Sequence, residues 1–187
     1  MLTTFTGAST TCLQAMGAQQ MTNRSDQYEV CEETIGQKSF EVCKAIVKAS
    51  PQHIFSVLTN YESSVAMFPG VRKCVVLENS GSTKHVAYRV EPGVPLGPIE
   101  YVLQVKETKP TLIEWHRLRG DLKEIDGFWK LEPIDGGRST LVTYWAHLNI
   151  GRFIPQALVK HQVRSGMPGI LMALKAKAEA PTIVASR

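Results

Sequence analysis

The sequence predicts an α+β fold in which a curved antiparallel sheet of six to seven strands wraps around one long, kinked C-terminal helix. Three observations carry this. A stretch of about 80 residues shows strand after strand with almost no helical pattern. Short helical signals precede it, and one long apolar stripe at helical spacing follows it. Several strands alternate between an apolar and a polar face, the mark of an antiparallel sheet with one side buried.

Taken in order, residues 1–38 are rich in Thr, Ser, Gln, Gly and Met and carry an acidic patch of Asp26, Glu29, Glu32 and Glu33. They are expected to form a flexible or loosely docked N-terminal extension, with an edge strand or short helix as the alternative. Residues 39–180 are expected to form the domain and 181–187 a C-terminal tail. Phe40 to Ala49 reads as a strand. Ser50-Pro51 then starts a helix, with serine as N-cap and proline at the first helical position. Its apolar face is Ile54, Val57, Leu58 and Tyr61, and Phe68-Pro69-Gly70 stops the segment that follows.

Six strands are predicted over 71–79, 83–91, 98–108, 111–119, 124–133 and 138–150. Turn-forming stretches separate them: Asn79 to Ser82, Lys109-Pro110, Gly120-Asp121 and Asp135 to Gly137. Ile99, Tyr101, Leu103 and Val105 share one face. So do Gly127, Trp129 and Leu131, and so do Val142, Tyr144, Ala146 and Leu148. Val102, Phe128 and Trp145 break the polar character of the opposite face. In the last segment, from about Pro155 to Ala180, Val159, Val163, Met167, Ile170 and Leu174 keep one stripe in phase. His161, Arg164, Ser165 and Lys175 fall away from it. Pro168 removes a backbone donor and is expected to kink this helix rather than end it.

The chain has 187 residues, enough for one domain with a real core, and 43% of them are hydrophobic. The 21 Lys+Arg against 17 Asp+Glu leave +4, without the basic cluster that nucleic-acid binding needs. Cys12, Cys31, Cys43 and Cys74 lack CxxC spacing and the histidines form no metal motif, so no metal is expected. No GxSxG, P-loop or GxGxxG motif occurs, which leaves standard nucleophiles and bound nucleotides unsupported, and no cofactor is expected. The N-terminus shows no basic start followed by an apolar run, and no stretch approaches a membrane span. A cytoplasmic location is the default expectation. The oligomeric state is not encoded in any feature of the sequence.

A single helix is too narrow to fill a wide curved sheet, so the leftover volume is either packed by large side chains or left as a pocket for a small molecule. The order of the segments now carries a resemblance. It rests on Ala49-Ser50-Pro51 into Ile54 to Leu58, Asn60-Tyr61-Glu62, Phe68 to Val71 and Ile113-Glu114-Trp115. It continues through Gly127 to Leu131, Thr140 to Tyr144 and Leu171 to Lys175. Over residues 39–180 the chain resembles the SRPBCC superfamily of START-like, helix-grip proteins, whose fold is also that of the Bet v 1-like proteins. Within it, the chain is most similar to the polyketide cyclase/dehydrase and coenzyme Q-binding branch. The resemblance implies binding or carriage of a lipid, quinone, isoprenoid or polyketide, and in some members cyclisation or dehydration of a bound polyketide.

Trp115, Trp129 and Tyr144 either line a ligand cavity or are ordinary core aromatics. Tyr88 and Tyr101 offer hydroxyls to a ligand oxygen or to structural hydrogen bonds. Arg117 lies two residues beyond Trp115, hence on its face. It meets a ligand anion or Glu91, or else reaches the barrel mouth and is solvated. Val163 and Met167 bring the helical stripe to the same space. The loop 93–98, with Val94 and Leu96 among glycines and prolines, reads as a lid that could touch a membrane transiently, or as a rigid turn. Asp121, Glu124 and Asp126 read as a solvated turn.

Three functions follow: a non-enzymatic carrier of a hydrophobic small molecule, a polyketide cyclase, aromatase or dehydrase using Arg117, Tyr101 and Tyr144, or a protein-interaction module with a vestigial pocket.

Overall fold

The computed structural model describes residues 28–92, 97–151 and 154–180. Residues 1–27, the rest of the expected N-terminal extension, and the tail at 181–187 lie outside the described residues. The elements are β1 (Tyr28–Ile35), β2 (Lys38–Val47), α1 (Pro51–Leu58), a 3-10 turn (Tyr61–Ser63), α2 (Ser64–Met67), β3 (Val71–Ser80) and β4 (Thr83–Val90). They continue with β5 (Ile99–Thr108), β6 (Leu112–Gly120), β7 (Glu124–Ile134), β8 (Ser139–Asn149) and α3 (Gln156–Glu179). The eight strands form one antiparallel sheet in the order β1-β2-β8-β7-β6-β5-β4-β3, which leaves β1 and β3 as open edges. The architecture is α+β: a long antiparallel sheet with a long C-terminal helix.

The strand count exceeds the expected six to seven because of β1. It pairs with β2 along its whole length, from Tyr28 opposite Ala45 to Ile35 opposite Lys38. Gly36, at φ +63°, opens the two-residue turn between them. Its alternation is hidden because Glu29, Glu32 and Glu33 fall on both faces. Charges on an edge strand discourage pairing with another chain.

Local chemistry sets α1. Ser50 caps it by accepting from the His53 N–H at 3.3 Å, Pro51 occupies the first turn, and Thr59 closes it by donating to the Phe55 carbonyl. Pro51, Ile54, Phe55 and Leu58 are buried. Helix α3 runs unbroken through Pro168. Its buried side chains include Val159, Met167, Leu171, Leu174 and Ala178, with Val163 and Ile170 half-buried against the same core. Lys175 was expected away from the stripe, yet it is buried. Its Nζ reaches the Ile46 carbonyl at 2.8 Å and Glu179 at 3.1 Å, so the charge is satisfied where its stem packs. Among the described residues no helix is long and apolar enough to cross a membrane.

The sheet buries apolar groups on both faces. The main core lies between its concave face and α1 and α3. A second cluster of Phe40, Val42 and Trp145, with Cys31 and Phe128 against it, sits on the convex face. This accounts for Phe128 and Trp145 as breaks in the polar face. The backbone of α3 lies closest to β2, β8 and α1.

Candidate functional site

The strand register brings the inward-facing residues into rows across the concave face. One row runs Cys43, Tyr144, Trp129 and Ile113 across β2, β8, β7 and β6. The next runs Glu41, Ala146, Gly127 and Trp115. Further along, Arg117 pairs with Leu103 and Leu103 with Val86, while Tyr101 pairs with Gly120 and with Tyr88. Tyr88 in turn faces Cys74 on β3. Six of the sequence-predicted residues (Tyr88, Tyr101, Trp115, Trp129, Tyr144 and Arg117) therefore share one face. Val163 and Met167 meet it from α3.

The aromatic rings of this face form two groups. Trp129 stacks on Tyr144 with centroids 4.1 Å apart, Trp115 tilts against Tyr144 at 5.8 Å, and Tyr88 stacks on Tyr101 at 5.5 Å. Gly127 permits this arrangement. A Cβ there would stand 2.4 Å from Trp115 Cζ2 and 2.4 Å from the Trp145 carbonyl oxygen, so the indole of Trp115 can lie flat against the strand only over glycine.

The tyrosines are desolvated without being fully covered. Tyr88, Tyr101, Trp115 and Tyr144 are packed against the core but only partly buried. Yet desolvation dominates their electrostatics: it pushes the Tyr144 phenol up to about 12 and raises Tyr88 and Tyr101 above the ordinary tyrosine value. Tyr88 hydrogen-bonds with Cys74. No described residue hydrogen-bonds with the hydroxyl of Tyr101 or Tyr144. Burial pushes the Cys43 thiol up to about 11, which keeps it protonated and unreactive at neutral pH.

One end of the face is closed by a buried polar group. Glu107 accepts from Tyr61 Oη at 2.6 Å and from Lys84 Nζ at 2.7 Å, tying the 3-10 turn to β4 and β5. The group is fully paired, which is what buried charge requires. Sequence reasoning missed Glu107, Lys84 and Glu41, although parity could have found them. Glu107 continues the series Tyr101, Leu103, Val105; Lys84 precedes Val86 and Tyr88; Glu41 precedes Cys43 and Ala45. The Oε2 of buried Glu41 lies 3.7 Å from Arg164 Nη1 but accepts no hydrogen bond; burial is the first cause that raises its pKa. Beside it, Ser39, Lys160, Gln156 and Val163 line a small pocket of about 10 Å³, room for a single water.

Arg117 does not meet Glu91, the protein partner considered for it. Glu91 is taken by Arg72 of the adjacent strand β3 at 2.9 Å. Arg117 instead donates through Nη2 to the Gly120 carbonyl at 2.8 Å, and its enclosed Nε has no partner. The acidic stretch is likewise not simply solvated. Glu124 and Asp126 are half-buried and pair with Lys38, and Asp121 accepts from the Glu100 N–H. Leu96 and the rest of 93–96 lie outside the described residues.

This arrangement of sheet, helix and rows is that of known proteins. A START superfamily protein from Mycobacterium smegmatis superposes with a TM-score of 0.66 at 20% identity, covering 75% of this chain and 97% of that one. A STAR-related lipid transfer protein from Xanthomonas axonopodis gives 0.70 at 18%, covering 83% and 96%. The Zhui aromatase/cyclase from Streptomyces sp. R1128 gives 0.63 at 16%, covering 82% and 94%. These likenesses establish the START/Bet v 1 helix-grip fold. No curated protein sequence matches the chain. A family model described as polyketide cyclase / dehydrase and lipid transport matches residues 47–175, the stretch from the end of β2 through α1, β3 to β8 and most of α3. The chain therefore belongs to the polyketide cyclase/dehydrase and lipid transport family.

Proposed function

We propose that this domain binds and carries a hydrophobic small molecule, such as a lipid, quinone, isoprenoid or polyketide, in a cavity between α3 and the inner faces of β4 to β8. The observation that carries the reading is the pair of phenols at Tyr101 and Tyr144. They are desolvated, not fully buried, and without a hydrogen-bond partner among the described residues. Neither hydroxyl is among the enclosed polar atoms, so each borders space that a ligand oxygen could enter. A bound molecule with an oxygen acceptor and a large apolar body would satisfy both the hydroxyls and the rings. Both the lipid transfer protein and the aromatase/cyclase that share the fold are consistent with such a guest.

Carriage is put ahead of cyclisation because Glu41 is the one carboxyl in these rows whose pKa burial raises, and it lies beside Arg164. Proton transfer near neutral pH calls for a group whose pKa lies near that pH. Tyr144 holds its proton to about 12, and Glu107 is committed to Lys84 and Tyr61. The histidines lie elsewhere: His53, His116 and His161 are exposed, His85 pairs with Glu78, and His147 packs on Phe40 in the convex cluster.

Native mass spectrometry of gently purified protein is expected to show a co-purified apolar molecule. Ubiquinone or a fluorescent lipid added to emptied protein should quench or change the emission of Trp115 and Trp129. Protein that carries nothing and binds neither probe overturns the reading. Turnover of a poly-β-keto substrate that collapses in Tyr101→Phe or Tyr144→Phe would instead favour the cyclase.

A further inference from the structure

The first two turns of α3 cover a small polar space at one side of the sheet. Ser39 and Glu41 of β2, Ala146 of β8, and Gln156, Lys160 and Val163 of α3 surround it. The other polar side chains around it are already held. Lys160 Nζ donates to Glu32 at 2.7 Å and to Ser39 Oγ at 3.1 Å, and Ser39 Oγ itself donates to Glu32. Gln156 Nε2 donates to the Leu148 carbonyl at 2.6 Å. His147, which also borders the space, is hydrogen-bonded through Nδ1 to the Ser39 carbonyl at 2.7 Å, and its Nε2 faces Glu124 at 3.5 Å. Glu41 is the exception. It is only 4% exposed, and its enclosed Oε2 accepts no hydrogen bond among the described residues.

Nothing on α3 completes it. Arg164 Nη1 stops at 3.7 Å, and its Nη2 is spent on the Val30 carbonyl at 3.5 Å. Lys160 is anchored by Glu32 and Ser39. A carboxyl group keeps acceptor capacity whether ionised or protonated, and burying that capacity unused is unfavourable. The neighbours across the sheet are small: Ala146 is the register partner of Glu41, and Gly127 is the next residue in the row. Ala146 and Val163 wall this space and also pack against the main core, as Trp115 and Tyr144 do. The space therefore adjoins the concave face on which the ligand is proposed to lie.

We propose that this pocket receives an alcohol group of the ligand, whose hydroxyl donates to Glu41 while the apolar body runs past Ala146 and Val163 onto the concave face. This rests on the reading of that face as a ligand site, and it narrows the ligand to a hydrophobic alcohol, long-chain or isoprenoid. Size agrees, because about 10 Å³ admits one oxygen and no larger head group. Chemistry agrees as well. Glu41 brings an acceptor and Lys160 only donors, and a hydroxyl is the small group that answers both. An ether, ester or ketone oxygen has no proton to give Glu41. A carboxylate would meet Glu41 as a like charge, and an ammonium would meet Lys160 in the same way.

Calorimetry with matched pairs tests this: 1-decanol against 1-methoxydecane, and geraniol against geranyl methyl ether. Tyr101 and Tyr144 can donate to the oxygen of either member, so a preference within a pair reports an acceptor on the protein. The wild-type chain should bind the alcohol of at least one pair about tenfold more tightly than its ether. Glu41→Leu removes the acceptor and should bring the two affinities within about twofold of each other. Glu41→Gln keeps a weaker acceptor and should retain part of the preference. Urea denaturation of both variants reports that they are folded. Equal binding of alcohol and ether by wild type, as expected if the pocket holds a buried water alone, overturns the assignment. So does a preference that persists in Glu41→Leu, or binding of ubiquinone or the fluorescent lipid by protein that takes neither alcohol. Failure of every probe, those two included, would instead overturn the ligand reading on which the assignment rests.

Discussion

Two aromatic pairs sit back to back in the same two strands and do different things. Phe128 and Trp145 stack at 4.2 Å on the convex face; Trp129 and Tyr144, their neighbours in sequence, stack at 4.1 Å on the concave face. The convex pair is closed off. Trp145 Nε1 donates to Glu33 at 2.9 Å, Glu33 also pairs with Lys44, and Phe40 and Val42 complete the cluster. The concave pair leaves the Tyr144 hydroxyl without a described partner and borders the half-buried ring of Trp115. Equal stacking therefore says nothing about role; the polar atom at the rim of each pair does. The satisfied indole belongs to packing, and the unpartnered phenol is the feature from which a ligand site is proposed.

The largest test of this contrast is Trp145→Ala. It should cost about 3–5 kcal/mol in urea denaturation, as for a buried aromatic, and leave ligand affinity within about twofold. A comparable loss of binding would erase the distinction between the faces. Gly127→Ala touches both sides at once, since its Cβ would strike Trp115 and the Trp145 carbonyl. It should destabilise by about 1–3 kcal/mol and weaken binding as well.

A pH titration probes the concave side alone. In the unfolded chain Cys43 and Tyr144 ionise near the ordinary thiol and phenol values of 9.0 and 10.0, whereas in the fold they hold their protons to about 11 and about 12. The folded state thus binds more protons across this interval. Stability from these groups is fully present below about pH 9 and is lost as pH rises toward 12. Thermal melts across that range should fall steadily, and Cys43 should resist alkylation at pH 8 while the protein is folded. Rapid alkylation of Cys43 under those conditions would show that the concave face is wet and open.

Tyr144→Phe sharpens the comparison further. Removing an unpaired hydroxyl should change stability by less than about 0.5 kcal/mol while reducing affinity for an oxygen-bearing ligand several-fold. The smallest effect belongs to Glu33→Gln. The amide still accepts from Trp145 and only the partly exposed pair with Lys44 is lost, so about 0.5 kcal/mol is expected in the same denaturation assay.

Much of this molecule was legible in its residues. The strands from Val71 to Asn149 and the last helix match the predicted spans closely at both ends, because turn formers and alternation act locally. Strand β1 was legible only as an alternative, since a charged edge strand lacks the apolar period that betrays an inner one. Parity set the faces of Tyr101, Trp129 and Tyr144 within their strands, while the inward turn of Trp115 and the place of Tyr88 beside Tyr101 came from the register between strands. Glu41, Lys84 and Glu107 share that parity and were passed over because a charge on an inner face was not expected to be buried.

The sequence by itself determined the order of elements, their lengths and the face each side chain takes, all consequences of local backbone periods. Only the tertiary structure decided which polar groups found partners. Lys84 met Glu107 from another strand, Glu91 turned to Arg72, and Arg117 found no carboxylate among the described residues. Pairing of charges depends on distances between strands far apart in sequence, and no period along the chain encodes them.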